Sequence, residues 1–132
     1  IEMLPPAEMD FSQFKDFHDR LCTYDSKFTP ESIYYKRIET LLPAPLTAKE
    51  LAKLERVAKG AYRAIGCRDY ARIDIRLRDG TFYALDVNPN ADISADASMA
   101  CAAEEAGCSY GEVGSRLVHL AARRHPVFGK RR

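Results

Sequence analysis

The sequence has no run of apolar residues approaching the roughly 20 that a membrane-spanning helix requires. It also lacks an excess of charge of one sign. Twenty Lys and Arg stand against 19 Asp and Glu, a formal net charge of +1, which argues against a dedicated nucleic-acid or membrane surface. Cysteine is sparse: Cys22, Cys67, Cys101 and Cys108 form no C-x-x-C spacing and no zinc pattern with histidine. Reduced thiols and a cytoplasmic location are therefore expected. The opening residues, IEMLPPAEMD, show no basic-then-apolar leader, so no secretory signal is expected. There is no internal repeat and no low-complexity segment. What remains is 132 residues, 46% hydrophobic, which is one domain's worth of chain with enough apolar residues for a core.

The stretch from Tyr70 to Asn90 is the most informative. Ala71, Ile73, Ile75 and Leu77 alternate with Tyr70, Arg72, Asp74 and Arg76, the period of a half-buried strand. A second strand spans Thr81 to Val87, with Arg78-Asp79-Gly80 between the two. A two-residue Asp79-Gly80 loop would set Asp74 opposite Leu85 and join a polar face to an apolar one. A three-residue loop with left-handed Gly80 pairs Leu77 with Thr81 instead. It predicts Ile73 facing Leu85 and Ala71 facing Val87. On the other face it sets Arg72 against Asp86 and Tyr70 against Asn88, with Asp74 diagonal to Asp86. This register keeps both faces consistent and is the expected one.

It gathers Arg72, Asp74, Asp86 and Asn88 on one face. Two carboxylates this close repel unless a cation lies between them. Carboxylate and amide oxygens are hard donors that suit Mg²⁺, which keeps waters and shares substrate phosphates. The plainer reading is a solvated hairpin face with a cross-strand Arg72–Asp86 pair.

Elsewhere the periodicity is mostly helical. Thr47 to Glu50 is a capping box that opens a helix with the stripe Leu51, Leu54, Ala58, Ala61 and Ile65, and Gly66 can close it. Ser109 to Glu112 is a second capping box, followed by Val113, Leu117, Leu120 and Ala121. A helix is expected from about Ser94 to Ala106. A short strand is expected over Ala7–Phe11, a Ser12-capped helix with Phe14, Phe17 and Leu21 inward, and a strand within Ile33–Leu42. His18 and His119 read as solvated or packed. The basic tail from Arg123 to Arg132 reads as a frayed end. Lys27, between Asp25 and Phe28, reads as a surface charge or as a phosphate contact.

The order of these features resembles the ATP-grasp ligases, and among them the D-alanine–D-alanine ligases. The resemblance rests on Arg72-x-Asp74, the hairpin, then Asp86-x-Asn88. It rests also on Tyr24-Asp25-Ser26-Lys27-Phe28, on the helix end Ala61 to Cys67, and on Ala106 to Tyr110. It covers about Ile1 to His125. It implies an α+β fold with a mostly antiparallel sheet and flanking helices, the C-terminal portion of an ATP-grasp domain over residues 1–132. The N-terminal domain and the first part of the ATP-grasp domain would be absent. It further implies ATP and Mg²⁺ (or Mn²⁺) as cofactors, Asp74, Asp86 and Asn88 as metal ligands, Lys27 on the nucleotide phosphates, and Arg72 on the reacting acyl group. The substrates would be an amino acid or other carboxylate and an amine, joined through an acyl phosphate. Nucleic-acid and membrane partners are not implied, and a homodimer is left open. The chain departs from the family in three places. Asp86 replaces the usual glutamate, Ala91-Asp92 replaces a proline–glycine turn, and Ala97 stands where a serine is common. A non-catalytic domain serving assembly or weak divalent-ion binding is the alternative.

Overall fold

The computed structural model describes residues 1–130 and divides the chain into two units, residues 6–45 and residues 1–5 with 46 onward. The first unit is short-elemented. Strand β1 (Glu8–Asp10), helix α1 (Tyr24–Phe28), helix α2 (Ile33–Arg37) and strand β2 (Glu39–Leu41) follow in order. β1 and β2 pair antiparallel, with Met9 opposite Thr40. Phe14 is the buried centre: its ring stacks on Tyr34 with centroids 5.5 Å apart, and Phe11 meets it edge-on.

Three expectations change in this unit. Ser12 does not cap a helix, because its N–H and hydroxyl both donate to the Asp10 carboxylate at 2.8 Å. Asp16 instead caps a single 3₁₀ turn, Phe17–Asp19. Phe17 and Leu21 are therefore exposed rather than inward. Within Ile33–Leu42 the strand is preceded by α2, which starts where Ser32 Oγ accepts from the Tyr34 N–H. The Tyr24–Thr29 segment is α1, capped by Thr23.

The second unit holds helix α3 (Ala48–Ile65), strands β3 (Arg72–Arg78) and β4 (Thr81–Asn88), helix α4 (Ser98–Glu105) and helix α5 (Tyr110–Arg124). Both capping boxes form, each with the hydroxyl accepting from the third residue's N–H and the glutamate accepting in return. Gly66 closes α3 in the left-handed form at φ 72°. α3 packs against the hairpin, and its Lys53 Nζ donates to the Gly80 carbonyl at 3.2 Å. α4 begins later than expected, because Asp92 accepts from both the N–H and hydroxyl of Ser94 and holds the segment before it as a turn. Its buried Ala100, Ala102 and Ala103 allow close packing on α5, where Cys108 and Val113 meet Leu4, Met99 and Leu117. Among the four free cysteines only Cys108 is buried. Among the described residues no helix is long and apolar enough to cross a membrane. The two final arginines of the basic tail lie outside the described residues.

The fold is α+β, its strands all antiparallel in two separate pairs. The hairpin register differs from the expectation. Asp79 (φ 50°) and Gly80 (φ 73°) both have positive φ, so the loop has two residues, as a type I′ turn requires. Arg78 pairs with Thr81, Leu77 with Phe82 and Ile75 with Ala84. A bulge then intervenes, beyond which Asp74 pairs with Asp86, Ile73 with Val87 and Arg72 with Asn88. The mismatch that argued against the short loop is real, and the extra residue Leu85 resolves it.

Candidate functional site

The site is one face of the β3–β4 hairpin. Alternation puts Arg72, Asp74 and Arg76 on the same side of β3. Cross-strand pairing brings Asn88, Asp86 and Tyr83 to that side on β4. Directly opposed residues have Cβ atoms roughly 5 Å apart, so the Asp74 and Asp86 carboxylates share one patch of surface. Ile73, Ile75, Leu77, Phe82 and Val87 take the other face, along which α3 packs.

Arg72 is already oriented. Its Nε donates to Asp74 Oδ1 at 2.8 Å and its Nη2 to Asp74 Oδ2 at 3.2 Å. This two-point pair lies along one strand, not across the hairpin to Asp86. Both carboxylates are exposed, while Arg72 and Asn88 are half-buried. Asn88 Oδ1 accepts from the Asn90 N–H at 2.9 Å, which fixes the amide with its second lone pair available. The donor set is therefore two carboxylates and one amide oxygen. No group of three or more His, Cys, Asp or Glu positioned for a metal occurs among the described residues. Two carboxylates with an amide suit Mg²⁺, which completes its octahedron with water and substrate phosphates, better than an ion needing a full protein cage.

The turn after the hairpin is tied down. The Tyr70 hydroxyl donates to the Ala91 carbonyl at 3.0 Å, and Ala91 is buried. Asp92 is held ionised below the usual carboxylate range, first by the Ser94 hydroxyl and then by the Ser94 N–H. A negative charge thus stands where the ATP-grasp pattern has an uncharged glycine.

Leu85 is the residue that sequence reasoning missed. Alternation sets it on the same side as Tyr83, and with Arg76, Arg78 and Asp79 the two line a shallow open groove next to the carboxylate pair. Leu85 is 68% exposed, an apolar side chain among charges. The signal was present in the sequence as a conflict between an Asp-Gly turn and the face alternation, and a bulge is the way both are satisfied. Lys27 lies on α1, exposed, in the other unit.

The family described as "D-ala D-ala ligase C-terminus" matches residues 7–119. The chain is 30% identical over 122 residues to the D-alanine–D-alanine ligase of Pseudothermotoga lettingae, covering 92% of this chain and 38% of that protein. It is 35% identical over 101 residues to the D-alanine–D-alanine ligase of Syntrophotalea carbinolica, covering 76% of this chain and 32% of that one. The fold is similar to that of the Bacillus anthracis D-alanine–D-alanine ligase solved with ATP, with a TM-score of 0.63, 22% identity, and coverage of 67% of this chain and 31% of that one. The chain thus spans about a third of the length of these relatives.

Proposed function

Because the chain belongs to the D-alanine–D-alanine ligase C-terminal family, a part of the ATP-grasp fold, we propose that it is the metal- and phosphate-binding half of an ATP-dependent carboxylate–amine ligase. The bond formed is of peptide type, and the carboxylate is activated as an acyl phosphate. The observation that carries this reading is the direct opposition of Asp74 and Asp86 with Arg72 on the same face.

Each residue has a physical task. Asp74, Asp86 and Asn88 would hold Mg²⁺ or Mn²⁺, which supplies charge neutralisation to phosphates. Phosphoryl transfer depends on such neutralisation and on positioning, with little covalent work from the protein. Arg72 orients Asp74 through its Nε and Nη2 and would offer its remaining N–H groups to the acyl group, where a charged donor stabilises developing negative charge. Leu85 and Tyr83 offer an apolar wall suited to a nucleotide base. Lys27 would meet the nucleotide phosphates as a compact charge. The substrates are small carboxylates and amines, in the cytoplasm. The remaining two-thirds of a ligase would complete the nucleotide pocket, so the chain by itself is not expected to turn over.

Two observations favour a second reading, a non-catalytic domain with weak divalent-ion binding. Arg72 already neutralises Asp74, and Asp92 replaces the family's glycine. The deciding experiment uses a ligase-length protein containing this segment, with ATP turnover and product formed measured across Mg²⁺ concentrations. Asp74→Asn and Asp86→Asn should each raise the Mg²⁺ requirement and slow turnover. Unchanged turnover in both variants would replace the ligase with the second reading.

A further inference from the structure

The near-zero net charge conceals a division along the chain. Residues 113–132 carry six Lys and Arg and no Asp or Glu, which leaves fourteen Lys and Arg against nineteen Asp and Glu in the 112 residues before them. Five of the six, Arg123, Arg124, Lys130, Arg131 and Arg132, fall in the last ten positions. Charge asymmetry of this kind accompanies binding to anionic surfaces. The family match ends at residue 119, before the last five of these basic residues.

The described part of the segment is folded rather than frayed. His125 ends α5, and its Nδ1 accepts from the N–H groups of Val127 and Phe128 at 3.2 and 3.4 Å. The Gly129 N–H donates to the His125 carbonyl at 2.8 Å, and a 3₁₀ turn spans Phe128–Lys130. The Phe128 ring rests on the imidazole with centroids 4.7 Å apart. This turn leaves Val127 60% and Phe128 58% exposed, side by side within the basic sequence. Arg124 is turned aside to Asp69, and the sequence places Arg123, Lys130, Arg131 and Arg132 on either side of the two apolar residues.

We propose that this C-terminal turn docks on an anionic lipid bilayer, with Val127 and Phe128 entering the headgroup region and the basic residues drawn to the lipid phosphates. The negative surface potential of such a bilayer attracts a polybasic segment within a Debye length. Buried apolar side chains add the second contribution that stable surface binding needs. A bilayer fits better than single-stranded nucleic acid. Base stacking needs an open aromatic face, whereas one apolar group here is aliphatic and the ring of the other already lies against His125.

The test is sedimentation of the 132-residue chain with vesicles of phosphatidylcholine containing about a third phosphatidylglycerol, beside pure phosphatidylcholine vesicles. Binding to the anionic vesicles should exceed that to neutral ones roughly tenfold or more and vanish in high salt. Arg123→Gln should weaken it about fivefold, the share of one charge near the surface. Val127→Ser with Phe128→Ser should weaken it about tenfold or more. Both changes are at exposed positions, and circular dichroism checks that the variants keep their helices. Equal retention by neutral vesicles, no retention by anionic ones, or displacement by single-stranded RNA at comparable concentration would each overturn the proposal.

Discussion

Asp74 stands directly opposite Asp86, although the Asp79-Gly80 turn alone would have put the two on opposite faces of the hairpin. One residue, Leu85, makes the difference. It has no cross-strand partner and shifts the rest of β4 by one place, so the polar side chains nearer the turn and those nearer its end share a face. A bulge beside a candidate site re-aims side chains, and this one re-aims the Asp86 carboxylate and leaves Leu85 beside it on the same face.

Leu85→Ser tests whether that leucine belongs to the site. A side chain exposed to this extent contributes little to folding, so stability should change by no more than about 0.5 kcal/mol. Nucleotide affinity of a ligase-length protein should fall about tenfold, as expected for losing a partly buried apolar contact. Titration calorimetry with ATP and a thermal melt give both values. An unchanged affinity would remove Leu85 and the groove beside it from the site.

Much of the second unit was legible because its signals are local. The two capping boxes, the Gly66 stop and the alternation in β3 each depend on residues within one or two turns of each other. The hairpin register was not legible, since two local rules conflicted and the bulge that satisfies both leaves no residue signature of its own. In the first unit, Ser12 had the right residue type for a cap, but Asp10 is two positions away and captures its hydroxyl. Phe17 and Leu21 had helical spacing without a helix to present them. α4 starts late because Asp92 and Ser94 make a turn from residues that also begin helices. At the site, the residue types were legible and their pairing was not. Arg72 turned along its own strand to Asp74, because the bulge moved Asp86 to the neighbouring pair and set Asn88 across from Arg72.

Gly80→Ala probes the turn. Its added Cβ would meet no neighbouring atom, so the cost is conformational only. A non-glycine residue in the left-handed region pays roughly 1–2 kcal/mol, and that loss should appear in a denaturant melt. Gly80→Asn, which tolerates positive φ, should recover most of it.

Arg72 and Asp86 should separate in kinetics. In a ligase-length protein Arg72→Ala should leave ATP affinity within a few fold and slow ligation by about 3–4 kcal/mol of transition-state stabilisation, as for the loss of one charged donor in a closed site. Asp86→Glu restores the residue usual in the family and should keep activity. Asp86→Asn should act through the metal, so extra Mg²⁺ should partly rescue it. A rescue of Arg72→Ala by Mg²⁺ of the same size would assign both residues to the metal.

The connection between α3 and β3 is tied to α5 by an ion pair, Asp69 with Arg124, in which Arg124 Nη1 contacts Asp69 Oδ1 and Nη2 donates to Oδ2 at 2.6 Å. Asp69 adopts φ 63°, a left-handed conformation that Asp and Asn tolerate and most residues do not. The Arg124 hydrogen bonds hold the Asp69 carboxyl below its ordinary value, and Arg124 is held above its own in return. A carboxyl whose folded pKa is depressed contributes stability that is fully present above its unfolded value, near ~4. That contribution is lost as pH falls through the folded value. Asp69→Asn keeps the backbone and the shape while removing the charge. Its melting temperature should therefore lie below that of the parent chain at pH 7, and the gap should close progressively below about pH 4. Arg124→Gln should behave the same way, and the double variant should cost little more than either single one, because both remove one interaction. Melts by circular dichroism from neutral to acid pH give the whole series. A gap between parent and Asp69→Asn that stays constant down to the acid end would assign the loss to backbone strain at Asp69 rather than to the pair.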